Sequence, residues 1–318
     1  MPSTHLVDPE LRPLLEVFPA LPVEIAALPA ARAGLTEMMM AAAEPLPDSV
    51  ERSELFAAGP KGAPDVRMLV YAPKQEGADR PAVLHVHGGG YVAGSPEMQE
   101  TQNAALALEL DAVVVSVDYR LAPETRFPGA IEDCYAALAW MVAEAADLGI
   151  DPRRIAISGE SAGGGLAAAL AVLARDRKEI PIAFQRLIYP MIDDRTASRT
   201  DLSPFIGQFI WTKETNAFGW SCLLGAAPGG PDVSPYAAAA RAEDLSGLPP
   251  AFIACGALDL FLEENVAYAE RLIRAGVPTE LLVYPGAPHG FTMMRGAAVS
   301  QRFERDAVSA LKRGLGVV

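Results

Sequence analysis

Gly159-Glu160-Ser161-Ala162-Gly163 joins a β-branched run, Arg154-Ile155-Ala156-Ile157-Ser158, to an alanine- and leucine-rich segment from Gly164 to Ala174. The first reads as a strand bounded by Asp151-Pro152, the second as a helix. A strand that ends in G-x-S-x-G and opens straight into a helix must turn sharply. Glycines two before and two after Ser161 leave room where a Cβ would strike neighbouring backbone. The hydroxyl is then held at a helix N-terminus, where free N–H groups favour a developing negative charge. Taken alone, the pattern also suits a glycine-rich turn that merely packs tightly. Gly163 to Ala168 matches the loose dinucleotide pattern G-x-G-x-x-A. That match begins inside the helix, past the strand–helix turn where phosphate-cradling amides must lie. No G-x-x-x-x-G-K-[ST] occurs, which removes a P-loop.

The chain around this turn alternates strands and helices from about residue 55. Strands are expected at 66–71, 82–87, 112–117, 154–158, 183–189, 251–255 and 280–284. Helices are expected at 98–110, 128–145, 164–174, about 263–275 and about 301–313. Ala112-Val113-Val114-Val115-Ser116-Val117 is apolar almost without interruption, as befits a strand covered on both faces. Repeated strand–helix units predict an α/β fold with a mostly parallel sheet and helices on both sides. Residues 191 to about 245 break the alternation and carry Phe205, Phe209, Trp211, Phe218 and Trp220; they read as a partly helical insertion. In the first fifty residues Pro9, Pro13, Pro19, Pro22 and Pro29 keep helices short. One helix is expected from Arg32 to Ala43, whose Met38, Met39 and Met40 either line an adaptable apolar pocket or simply pack.

Open parallel sheets bind ligands outside the carboxyl ends of their strands. Three strands end there in chemically useful residues: His87-Gly88-Gly89-Gly90, Ser161, and the turn holding Asp259. His289 follows the last strand. A serine hydroxyl needs an adjacent base, and the chain has four histidines. His5 lies in a terminal segment, His85 sits mid-strand in a structural position, and His87 anchors the glycine run. His289, in Pro288-His289-Gly290-Phe291, remains as the base. Its orienting carboxylate is expected to be Asp259, which follows the strand 251–255 and gives the order Ser…Asp…His used on this scaffold. Asp259 is equally placed to cap a helix, and Asp193 or Asp194 are alternative acids. The N–H groups of Gly88, Gly89 and Ala162 are candidates to receive an oxyanion. Three successive glycines are costly to order, so a role at the site would offset that cost.

Composition sets outer limits. A net charge of −14 argues against nucleic acid and anionic membrane surfaces as partners. Cys134, Cys222 and Cys255 show no paired spacing; Cys134 and Cys255 read as small buried hydrophobes. The start lacks signal-peptide character and no apolar run reaches membrane-spanning length. A soluble, cytoplasmic protein without stable membrane insertion is therefore expected. No cluster at ligand spacing implies a metal, and no cofactor is implied.

Together His87-Gly88-Gly89-Gly90-Tyr91, Asp118-Tyr119-Arg120-Leu121-Ala122-Pro123-Glu124, Phe127-Pro128, Gly159-Glu160-Ser161-Ala162-Gly163-Gly164 and His289-Gly290-Phe291 resemble the bacterial hormone-sensitive-lipase-like (family IV) esterases and lipases of the α/β-hydrolase fold. The resemblance spans roughly residues 80 to 295. It implies hydrolysis of small, apolar carboxylic esters, short to medium in chain length, by a triad of Ser161, Asp259 and His289 with an oxyanion hole at Gly88, Gly89 and Ala162. It implies one hydrolase domain over 1–318, a cap built from about 1–50 and about 191–245, structural roles for Tyr119 and Arg120, and an edge-strand homodimer. A ligand-binding protein that has abandoned catalysis, or an acyltransferase or amidase, are the other uses of such a scaffold. Two departures stand out. Glu160 occupies a position where these proteins usually carry Asp or Thr, and their D-P-L-x-D-E reads here Asp259-Leu260-Phe261-Leu262-Glu263-Glu264.

Overall fold

The computed structural model describes residues 3–18, 23–41 and 44–317. Among them the chain forms β1 (Val50–Ala57), β2 (Val66–Pro73), β3 (Arg80–Val86), β4 (Val113–Val117), β5 (Ile150–Glu160), β6 (Phe184–Ile188), β7 (Ala251–Gly256) and β8 (Thr279–Tyr284). The α-helices are α1 (Arg12–Val17), α2 (Leu28–Ala41), α3 (Glu100–Leu110), α4 (Gly129–Ala143), α5 (Ala162–Arg177), α6 (Lys213–Leu224), α7 (Leu262–Arg274) and α8 (Ala298–Leu315). The strands form one sheet in the order β1-β2-β4-β3-β5-β6-β7-β8. Pairs β1–β2 and β2–β4 are antiparallel and all others parallel.

The seven expected strands and the helices between them are all present, with ends shifted by a few residues. β3 and β4 are buried along their whole length, which is why they read as continuous apolar runs. β1 escaped the sequence reading. Its Glu51, Arg52 and Glu54 interrupt the apolar pattern, and Phe56 faces solvent at 54% exposure. Only the inward series Ser53, Leu55, Ala57 has period two. Pairing with β2 at the sheet edge, a tertiary contact, makes this segment a strand.

Prolines at the N-terminal end start helices: Pro13 lies in the first turn of α1 and Pro29 in the first turn of α2. Pro128 is the residue before α4, one place outside the helix expected to begin with it. Pro19, Pro22 and the last residues of the expected Arg32–Ala43 helix lie outside the described residues. The insertion is partly helical as expected: α6 plus short turns at Asp194–Ala197 and Ala239–Arg241. The core lies on both sides of the sheet. α4, α5 and α7 pack on one face, and α3 and α8 on the other. No helix among the described residues is long and apolar enough to cross a membrane. Cys134, Cys222 and Cys255 are free and buried, and burial pushes the Cys134 and Cys255 thiols well up.

Candidate active site

The turn after β5 is as tight as its glycines demanded. Ser161 sits at φ 56° and ψ −121°, left-handed backbone that a non-glycine residue rarely adopts. Its surroundings hold it there. The Ser161 N–H donates to the Ile188 carbonyl, and the Ser161 carbonyl accepts from Gly165 and Met191, all at 2.9 Å. A Cβ on Gly159 would stand 2.3 Å from the Gly163 oxygen, and one on Gly163 would stand 2.0 Å from the Val86 oxygen. Both glycines are thus fixed by backbone on the far side. The dinucleotide-like glycines lie inside α5, where they admit β3 and the chain after β6.

Ser161, His289 and Asp259 come from three distant parts of the chain and meet at one edge of the sheet. Ser161 Oγ lies 2.9 Å from His289 Nε2, and His289 Nδ1 lies 2.8 Å from Asp259 Oδ2. A carboxylate only accepts, so Nδ1 carries the proton and Nε2 accepts from the serine hydroxyl. All three side chains are buried. Asp259 is not the cap of α7, whose N-cap is Phe261 without a side-chain hydrogen bond; its Oδ1 accepts the Phe261 N–H at 2.9 Å, bracing the turn before the helix. The alternative acids are spent elsewhere. Asp193 pairs with Arg195 at 2.7 Å, and Asp194 with Arg241 at 2.8 Å.

The His87–Gly90 loop closes the other side. Gly89 has φ +123°, and a Cβ there would stand 2.0 Å from the Ala93 oxygen. The ideal Cβ position of Gly88 is 3.5 Å from the Ser161 Cβ, so this backbone passes beside Ser161. Ala162 is the first residue of α5, with its N–H among the unpaired donors of the helix start. His87 anchors the loop: its ring stacks on Tyr119 at 4.2 Å, Nδ1 lies 2.8 Å from the Gly88 carbonyl oxygen, and Tyr119 Oη donates to the His87 carbonyl at 2.9 Å. Burial drives the His87 imidazole down to about 4, so it is neutral at pH 7. Arg120 grips Asp133 with bonds of 2.7 and 2.8 Å, holding the next loop to α4.

A cavity of about 90 Å³ stands over Ser161. Its apolar walls include Phe18, Leu35 and Met39 from the N-terminal segment, Ile210 and Trp211 from the insertion, and Met293. Of the methionine stripe, Met39 reaches this cavity while Met40 is exposed. Arg32 fastens α2 in place, with Nε donating to the Val92 carbonyl and Nη2 to the Ala122 carbonyl and to Glu124. Tyr189, Phe261 and Trp211 surround the His289 ring at 4.7, 5.3 and 6.2 Å between centroids.

The α/β-hydrolase-fold family matches residues 83–293 of the chain. Carboxylesterase NlhH of Mycobacterium tuberculosis is 37% identical over 316 residues, covering 97% of this chain and 96% of that protein. Esterase LipI of the same organism is 34% identical, with 95% and 92% covered. Among solved structures, a bacterial heroin esterase superposes with a TM-score of 0.93 at 42% identity, covering 98% of each chain. The chain belongs to the α/β-hydrolase-fold family.

Within this hydrolase the two departures from the usual motifs acquire positions. Glu160 is buried, with Oε2 2.9 Å from His85 Nε2 and Oε1 3.5 Å from Arg186. Burial pushes its carboxyl up, but His85 and Arg186 outweigh that and hold it below the ordinary carboxylate range. Glu263 braces the insertion: Oε1 accepts the Ser203 N–H at 3.0 Å and Oε2 meets Arg199 at 2.8 Å. Glu264 Oε1 accepts the Ile192 N–H at 2.8 Å, and Asn265 donates to the Pro190 carbonyl at 2.8 Å. The first residues of α7 therefore clamp the chain where the insertion leaves the sheet. Tyr189 went unnoticed as a site residue although it directly follows β6, the sheet edge where site residues gather. Phe18, Ile210 and Met293 carry no local signal, because their place over Ser161 is set by how distant loops lie on the sheet.

Proposed function

We propose that this esterase hydrolyses short- to medium-chain apolar carboxylic esters through an acyl-enzyme on Ser161. The observation that carries the reading is the unbroken hydrogen-bonded series Ser161–His289–Asp259 at 2.9 and 2.8 Å. His289 Nε2 takes the hydroxyl proton as Oγ attacks the ester carbonyl. Asp259 keeps Nδ1 protonated and stabilises the imidazolium that forms. The oxyanion is received by the N–H groups of Gly88, Gly89 and Ala162, fixed before the reaction begins. His289 then protonates the leaving alcohol, and water repeats the sequence to release the acid.

Substrate size follows from the cavity. About 90 Å³ is far below the ~300–1,000 Å³ typical of sites for drug-sized ligands, and favours small acyl groups. Its walls support a cap built from about 1–50 and about 191–245 on a single hydrolase domain, since both segments contribute side chains over Ser161. The homodimer implied by the family resemblance would form at β8, the edge strand on which Val283 is 43% exposed.

The test is a series of nitrophenyl esters from acetate upward, with covalent labelling of the serine mapped by mass spectrometry. The reading expects turnover falling with chain length and a label on Ser161 alone. A label elsewhere, or turnover untouched by Ser161→Ala, would refute it. Repeating the assay with an added alcohol or amide separates hydrolysis from acyl transfer and amide cleavage.

A further inference from the structure

A polar row crosses the sheet on the face covered by α3 and α8. Ser116, His85, Ser158 and Arg186 occupy matching register positions on β4, β3, β5 and β6. Glu160, two residues beyond Ser158, points to the same face. Central positions of a parallel sheet under helices are ordinarily apolar. Here His85 lies between Ser116 Oγ at 2.8 Å and Glu160 Oε2 at 2.9 Å, and Arg186 Nε donates to Ser158 Oγ at 2.8 Å. Arg186 Nη2 reaches Glu160 Oε1 only at 3.5 Å. Glu160 Oε1 and the guanidinium therefore keep hydrogen-bonding capacity to spare.

That capacity faces a second cavity of about 520 Å³. Its floor is His85, Glu160 and Arg186, all buried, and its rim includes the exposed Gln301, Glu304 and Arg305 of α8. Charged and polar groups line its floor and rim, and a space of this volume holds on the order of ten or more waters. Gln99, Glu160 and Met293 line both this cavity and the apolar one over Ser161, so only these side chains stand between the two.

We propose that this second cavity is the water route for deacylation, with Glu160 and Arg186 as positioning residues at its inner end. The inference rests on the esterase reading above. Once Ser161 is acylated, the acyl group and the apolar walls around it leave a path on that side for an alcohol but offer water no hydrogen-bond partners. Water then arrives past Glu160, between Gln99 and Met293. Its oxygen attacks the acyl carbonyl carbon while His289 Nε2 takes its proton. The carbon–Oγ bond breaks, Oγ recovers the proton from His289, and the carboxylic acid departs. A Glu at position 160 suits this task, since its longer side chain spans from the nucleophile turn to both His85 and Arg186.

The route is tested by plugging its outer part from two sides independently, with Gln102→Trp on α3 and Gln301→Trp on α8. Leu108→Trp, exposed on α3 and outside the cavity, is the control. Quenched-flow mass spectrometry on nitrophenyl butyrate gives the rates at which butyryl-Ser161 forms and decays. A 1-butanol competitor gives the share of acyl groups transferred to alcohol, which enters by the substrate mouth. Each plug is expected to leave formation within about two-fold of wild type, slow decay about ten-fold, and raise the butyl ester share correspondingly. The control should change none of these. Unchanged decay in both plugged variants, or formation slowed as much as decay, overturns the proposal. Failure to find any acyl-Ser161 in the wild type overturns the esterase reading itself, and this inference with it.

Discussion

Asp259→Asn tests the site with almost no change in shape. Asp259 uses its two oxygens differently: Oδ1 accepts the Phe261 N–H at 2.9 Å, and Oδ2 accepts from His289 Nδ1 at 2.8 Å. In the variant the amide oxygen keeps the Phe261 bond, because the amide nitrogen would put donor against donor there. The NH₂ group must then face His289. It donates to Nδ1, so the ring proton moves to Nε2, which points at Ser161 Oγ. A base that already carries a proton on its working nitrogen does not activate the serine. In the reference serine protease this inversion costs about 10⁴ in kcat, or about 5 kcal/mol of transition-state stabilisation. The same loss is expected here, with KM little changed and the thermal midpoint close to wild type, since volume and hydrogen-bond count are conserved. Nitrophenyl acetate turnover and a melting curve on one preparation decide it. A kcat within ten-fold of wild type would refute the tautomer argument, and so would an equal loss in Asp193→Asn or Asp194→Asn.

Other outcomes are as definite. Ser161→Ala should abolish ester turnover and serine labelling while leaving circular dichroism and melting intact; residual steady-state turnover above background would count against the nucleophile. Trp211→Ala removes a buried wall of the cavity, one whose ring lies 2.2 Å from the ideal Cβ position of Gly90. It should cost about 3–5 kcal/mol of stability and move the preference in kcat/KM towards longer acyl chains; an unchanged chain-length profile would show that Trp211 does not limit the acyl group. Acid sensitivity should report His87. Burial lowers its imidazole from 6.5 to about 4, so between those values the unfolded chain binds a proton that the folded chain refuses. Stability is then full above about 6.5 and falls as pH drops towards 4, by roughly 3 kcal/mol in all. His87→Gln should flatten that part of a stability–pH curve, and an unaltered slope would disprove the assignment.

Much of the site was legible before any coordinates. The strand–turn–helix around Ser161, the glycine run after β3 and the single histidine behind the last strand are local patterns, and each names its chemistry. Asp259 was legible because it follows a strand at the edge where a parallel sheet collects its ligands. β1 was hidden by Glu51, Arg52 and Glu54, whose charges suit an edge strand facing water but erase the apolar pattern that announces one. The cavity walls were hidden for a different reason: Phe18, Ile210, Trp211 and Met293 are brought together by loop paths that no short window encodes.

The sequence by itself determined the order of strands and helices and the sharp turn that presents Ser161, because periodicity and backbone sterics act over a few residues, and it singled out the histidine that the fold brings to Ser161. Only the tertiary structure decided that Asp259 and not Asp193 or Asp194 faces His289, that Glu160 joins His85 and Arg186, and how much room stands over Ser161. Those outcomes depend on distances between groups from separate strands and loops, and such distances are fixed by the packing of the whole sheet.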